Sequence, residues 1–84
     1  MANLVCSIES IGETISEVEV EDLLAIAPKG AVSIWFGSFS GTPAELLAGG
    51  IPLAAGQWFE PRRHHTGIVS MVTTTGTVSV CIVV

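Results

Sequence analysis

Arg62-Arg63-His64-His65 is the one basic cluster in a chain of 84 residues that holds only three Lys and Arg in all. Two guanidiniums beside two imidazoles suit an acidic partner or, through the imidazoles, a metal ion. The metal reading is the weaker one. Adjacent histidines in extended backbone point to opposite faces, and the nearest carboxylate in the sequence is Glu60, too sparse a set for a metal centre. The cluster lies between Pro61 and Thr66-Gly67, which predicts an exposed loop. Charge in such a loop is commonly just solvated. Its functional use would be contact with an acidic neighbour, for instance the Glu-rich strand of another copy.

The acids are placed unevenly. Glu9, Glu13, Glu17, Glu19, Glu21 and Asp22 all precede the first base, Lys29. Glu17, Glu19 and Glu21 alternate with Ser16, Val18 and Val20, the period of a half-exposed strand. A calcium loop needs flexible backbone with oxygens converging on one point, whereas alternating glutamates form a row. The row reads as a solubilising edge strand that blocks unwanted pairing. A Ser-His-Asp arrangement would have to use Asp22, the only aspartate, and no G-x-S-x-G elbow or phosphate loop occurs. No catalytic residue, cofactor site or metal site is therefore expected, and the protein reads as not an enzyme.

Cys6 and Cys81 are the only cysteines. Alternation groups Cys6 with Leu4 and Ile8. It groups Cys81 with Thr77 and Ser79, opposite Val78, Val80, Ile82 and Val84. Thiols on different sheet faces are badly placed to bond, so two reduced cysteines acting as small packing residues are expected.

Trp35, Phe36, Phe39, Trp58 and Phe59 are all the aromatics. Trp35-Phe36 and Trp58-Phe59 are adjacent pairs in extended segments, so one member of each faces away from the core. An outward aromatic anchors an interface or offers a platform to a sugar; the alternative is a strand buried between two sheets. These five, with Arg62 and Arg63, are the interface candidates.

The elements that must position them are mostly strands. Ser16–Glu21, Ala31–Phe36, Gln57–Glu60, Thr66–Thr73 and Thr77–Val84 read as strands. Thr74-Thr75-Gly76 predicts a turn that joins the last two as a hairpin. Leu4, Ile8, Ile11, Ile15 and Val18 are spaced as a helical stripe, but Gly12 interrupts them and Ile, Thr and Val are poor helix formers. Two strands turning near Gly12 are favoured, with residues 1–14 as an N-terminal arm or first strand. Thr42-Pro43-Ala44-Glu45 is a capping box with proline at the first helical position, and Gly49-Gly50 can supply a left-handed stop. Asp22 to Ala27 is a candidate for a second helical turn, with Asp22 as its cap. The expectation is one all-β domain over 1–84, a small antiparallel sandwich or barrel with one or two short helical turns.

Composition points to assembly. The apolar residues make up 49%; with glycine the share reaches roughly 60%, against about 45–50% in ordinary domains. Charged residues are 13%, against about 25%. A lone small domain needs charge to stay apart from its neighbours, so part of this surface is expected to be covered by partner subunits. A net charge of −5 argues against a nucleic-acid partner, which requires basic patches. Met1-Ala2-Asn3-Leu4 has no signal-peptide pattern, and no apolar run nears the length of a membrane span. The chain is expected to be made in the cytoplasm and to be soluble, with no membrane partner.

The C-terminal half resembles small virion structural proteins of tailed bacteriophages. Gly50-Ile51-Pro52-Leu53-Ala54-Ala55-Gly56-Gln57 is similar to their "G-I-P-L-x-x-G-[EQ]" turn. Gly67-Ile68-Val69-Ser70-Met71-Val72 is similar to their "x-I-Y-A-I-S" strand, without its tyrosine. Gly76-Thr77-Val78-Ser79-Val80 resembles their closing "G-T-A-x-V-x-V" strand, and Val32–Gly37 sits where they have "V-x-I-G". The resemblance covers about residues 31–84; the Arg62–His65 loop departs from it. It implies a capsid decoration (cement), head-fibre or tail-accessory protein of the virion. Such a protein would form a homo-oligomer, a trimer being favoured, and bind the major capsid protein or another virion protein. The alternative is a carbohydrate- or receptor-binding module on a head or tail fibre.

Overall fold

The computed structural model describes residues 6–74 and 76–84. Leu4 of the helical stripe, the beginning of the expected arm and Thr75 of the expected turn lie outside them.

The elements in chain order are β1 (Cys6–Ile11), β2 (Ser16–Leu23), β3 (Ala25–Pro28), β4 (Val32–Phe36), α1 (Pro43–Gly49), β5 (Ile51–Leu53), β6 (His65–Thr73) and β7 (Val78–Val83). They form two antiparallel sheets. One has three strands in the order β1-β7-β3; the other has four in the order β2-β6-β4-β5. The sheets pack face to face as a sandwich and do not close into a barrel. The core between them holds Ile11, Val20, Leu23, Ile26, Val32 and Ile34 from the first half, and Leu53, Val69, Met71, Val78, Val80 and Ile82 from the second. Full burial of each such side chain contributes roughly 1.5–3 kcal/mol relative to exposure.

The alternation in β2 is realised as expected. Val18 and Val20 turn toward the core while Glu17, Glu19 and Glu21 are exposed. A bulge between Val20 and Leu23 then leaves both Glu21 and Asp22 outward before Leu23 returns to the core. The ambiguous first segment is two strands, β1 and β2, on either side of Gly12.

Three expectations are corrected. The expected helical turn over Asp22–Ala27 is absent: β2 runs through Leu23, and Ala25–Pro28 pairs with β7 as β3. Burying Ile26 in the sandwich outweighs a weak local cap. The expected β6–β7 hairpin is not formed either. β6 pairs with β2 and β4, and β7 with β1 and β3. Both are central strands, so the chain crosses between sheets and sets Val69 and Met71 against Val78, Val80 and Ile82. A hairpin would put these apolar faces in one layer with nothing to cover them. Gln57–Glu60, expected as a strand, makes a single bridge between Phe59 and Ile26.

The capping box forms as read. Glu45 N donates to Thr42 Oγ1 at 3.2 Å, and Thr42 N donates to Glu45 Oε1 at 3.1 Å. The helix ends differently from the expected left-handed stop. Gly50 is extended at φ −81, and its N–H donates to Leu46 O at 2.8 Å. Glycine is needed there for space. A Cβ would stand 2.7 Å from Leu46 O and 2.8 Å from Ile34 O, so a side chain would push α1 off β4. The helix lies across the outer side of β4 and β6, where Leu46 is fully buried.

Candidate functional site

Strand alternation splits the aromatic pairs as anticipated. Phe36 and Phe59 turn inward, pack against the core, and stack with centroids 5.8 Å apart and planes 28° apart. Their rings tie the four-stranded sheet to the segment that bridges β3. Trp35 and Trp58 turn outward and are 41% and 58% exposed.

The two outward tryptophans have different surroundings. Trp35 meets Phe39 edge-on, with centroids 5.4 Å apart. A hydroxyl holds that contact in place: Ser70 Oγ donates to Gly37 O at 2.8 Å and accepts from Phe39 N at 3.1 Å. Among the described residues, Trp58 has no ring partner. The turn before it is built by Gly56 at φ +78, with Gln57 N donating to Ala54 O at 3.0 Å. This is the type II arrangement, which calls for glycine at its third position. Phe59 then exchanges two backbone hydrogen bonds with Ile26, at 2.8 and 2.9 Å. Bridge and turn fix Trp58 over the outer face of the three-stranded sheet.

That face is apolar. The register sets Ile8 opposite Cys81, Cys81 opposite Ala27, and Val83 opposite Ala25, and directly opposed residues share a face. Ala27, Cys81 and Val83 are a second buried cluster, flanked by Leu24 and Ala25. Ile8 stands exposed at 57%. A hollow lies on either side of Trp58. One, of ≈ 200 Å³, reaches Ile8, Ala27 and Cys81, with Lys29 at its margin. The other, of ≈ 690 Å³, reaches Leu24, Ala25 and Val83, with Glu60 and His64 at its margin. An apolar centre with charge at the edge is the anatomy of a protein interface.

The register also corrects the expectation for the thiols. Cys81 is disulfide-bonded, and the sequence contains one other cysteine, Cys6. The sequence reading set the Ile8 face apart from that of Cys81, whereas the pairing puts Ile8 opposite Cys81 on the outer face.

Arg62 and Arg63 are exposed in the loop before β6. Among the described residues neither has an ion-pair partner. The neighbouring histidines diverge. His64 Nδ1 meets Asp22 Oδ1 at 3.0 Å on the surface. His65 is half-buried beside Phe36, with Nε2 2.8 Å from Ile68 O, so Nε2 carries the proton. No group of three or more metal-ligating side chains converges among the described residues.

One feature is not visible in the sequence. β1 and β2 are edge strands of opposite sheets, and a groove of ≈ 360 Å³ opens between them. Val18, Val20 and Ile82 line its floor, and Glu9, Glu19, Glu21 and Asp22 its rim. On the opposite edges, β3 carries the Phe59 bridge and β5 is a short strand containing Pro52. Only the Glu row hinted at the groove, because which strand lies over β2 is set by long-range pairing. The chain matches no protein-family model, no curated protein and no solved structure.

Proposed function

We propose that the protein is a non-enzymatic assembly component that binds copies of itself and a larger shell through apolar faces. In its full form the proposal is a virion structural protein of the capsid decoration or cement type. It would be a homo-oligomer, with a trimer favoured, seated on the major capsid protein or another virion protein. It would be made in the host cytoplasm and would use no cofactor, nucleic acid or membrane. The virion setting rests on the sequence resemblance of residues 31–84. Self-assembly rests on the apolar outer face around Trp58, in a chain with few charges to keep copies apart.

The scale is adequate. A standard interface covers about 800 Å² on each partner, and this chain exposes 5045 Å². One face of the sandwich is of that order. A fully desolvated tryptophan at the centre of such a patch is the usual dominant anchor. The alternative, a carbohydrate- or receptor-binding fibre module, draws on Glu60 and His64 beside Trp58. The apolar company of Leu24, Ala25 and Val83 favours the protein partner.

The test starts with light scattering at micromolar concentration. A trimer or other closed oligomer is expected, and Trp58→Ala should dissociate it. A clean wild-type monomer would overturn self-assembly. The shell is tested by stripping and re-adding the protein to capsids while following thermal disruption. A disruption temperature that rises and saturates with added protein, indifferent to chelator, supports cement. A shell equally stable without the protein moves the reading to the fibre module.

A further inference from the structure

The acid-rimmed groove and the Arg62-Arg63 loop form a pair of opposite charge on one molecule. Two of the chain's three cations sit together in that loop, exposed and without an ion-pair partner among the described residues. The groove presents Glu19, Glu21 and Asp22 around an apolar floor that includes Val20. It also lies between two strand edges that pair with nothing among the described residues.

We propose that the groove between β1 and β2 receives the Arg62-Arg63 loop of a second copy of this chain. The proposal rests on the self-assembly reading above and names the contact that directs it. Adjacency supplies the first argument. The groove and the loop adjoin on one copy, where His64 Nδ1 meets Asp22 at 3.0 Å and Thr66 Oγ1 donates to Glu21 O at 2.7 Å, so each copy offers both an acidic and a basic half of the contact to its neighbours. Exclusion of the alternative supplies the second. Pairing β2 with β2 of another copy would crowd the rows Glu17, Glu19 and Glu21 together, and like charges directly opposite repel. A basic loop relieves that charge. Continuity supplies the third. The loop follows Trp58 by four residues, and His64 lines the hollow beside Trp58, so the two arginines stand at the charged edge of the apolar face. The tryptophan would supply affinity and the arginines register and partner choice, the usual division between a buried anchor and rim charge.

Charge reversal tests this contact. Arg62→Glu with Arg63→Glu and, separately, Glu19→Lys with Glu21→Lys are compared by light scattering and sedimentation. All four positions are exposed, so thermal unfolding should show both variants folded. Each double variant should associate at least about tenfold more weakly, since like charges brought together across an interface repel. Placing all four reversals in one chain should restore association. Mixing the two double variants should give mixed pairs that neither forms alone, through one matched contact, whereas a closed ring of three always keeps one mismatched contact. Failure of both rescues, or unchanged association in the doubles, overturns the proposal. If Trp58→Ala still dissociates the oligomer in that case, the self-assembly reading stands without this contact. A monomeric wild-type chain removes both.

Discussion

Trp35 and Trp58 each stand beside an inward phenylalanine on an extended segment, yet the two sides of the sandwich treat them differently. Behind the four-stranded sheet, α1 lies across β4 and β6, and Phe39 packs edge-on against Trp35. Ser33, Ser70 and Val72, which point the same way, are buried there. Behind the three-stranded sheet no helix follows. Ile8 and Trp58 stay exposed around a floor of Ala27, Cys81 and Val83. Among the described residues, one outer face is covered by its own chain and the other is open. An apolar outer face thus gains meaning from what the chain does next to it, more than from its composition.

The comparison breaks most visibly at the helix. Leu46 is fully buried under α1, and Leu46→Ala should cost about 2–5 kcal/mol of stability. Urea unfolding measures it, with Ile8→Ala as the counterpart that should move the midpoint little. If Ile8→Ala costs as much as Leu46→Ala, the open face is part of the monomer's own core.

The tryptophans sharpen the contrast. Trp58→Ala should weaken oligomer formation by at least about tenfold, since interface hot spots are worth about 2 kcal/mol or more. Its effect on the monomer should be small. Trp35→Ala should do the reverse, losing the Phe39 pair, worth about 0.5–1.5 kcal/mol, while the oligomer persists. Sedimentation and unfolding on both variants decide it, and identical profiles would erase the distinction between the faces.

Smaller effects are expected at the edges of the covered face. Thr42→Ala removes the acceptor for Glu45 N and should cost about 1 kcal/mol, read as a lower unfolding midpoint. The exposed contact between His64 and Asp22 should contribute about 0–1 kcal/mol. A double-mutant cycle with His64→Ala and Asp22→Ala measures that coupling. A larger value would mean the Arg62–His65 loop is held in place by the monomer itself.

Local chemistry was legible in the residues. The Glu17-Glu19-Glu21 row, the split of Trp35 from Phe36 and of Trp58 from Phe59, and the Thr42–Glu45 capping box all follow from periods of two or from neighbours three apart. Partner choice was not. Thr74-Thr75-Gly76 is a sound turn signal, but a turn does not say whether the chain doubles back or crosses to the other sheet. That depends on where Val78, Val80 and Ile82 find an apolar face to cover. The cysteines failed for the same reason. Alternation fixes faces within β1 and within β7, and only the pairing of Ile8 with Cys81 relates one strand to the other. Asp22–Ala27 looked like a helical turn because a cap is a local signal, while the slot beside β7 that claims Ile26 is made by distant residues. The groove, and the apolar face itself, belong to this non-local class.

The place of β7 also governs time. β1 and β3 hydrogen-bond to β7 and not to each other, so during synthesis the three-stranded sheet has no middle until residues 78–83 leave the ribosome. Until then the inner face of the four-stranded sheet has no lid, and Ile11 and Ile26 wait without their layer. Closing it joins residues from opposite ends of the described chain, and topologies dominated by such distant pairings fold in about milliseconds to seconds. A nascent chain halted before Val78 should therefore be cut readily by protease within β1. The core becomes protected, and the outer apolar face around Cys81 and Val83 is assembled, in the same late event.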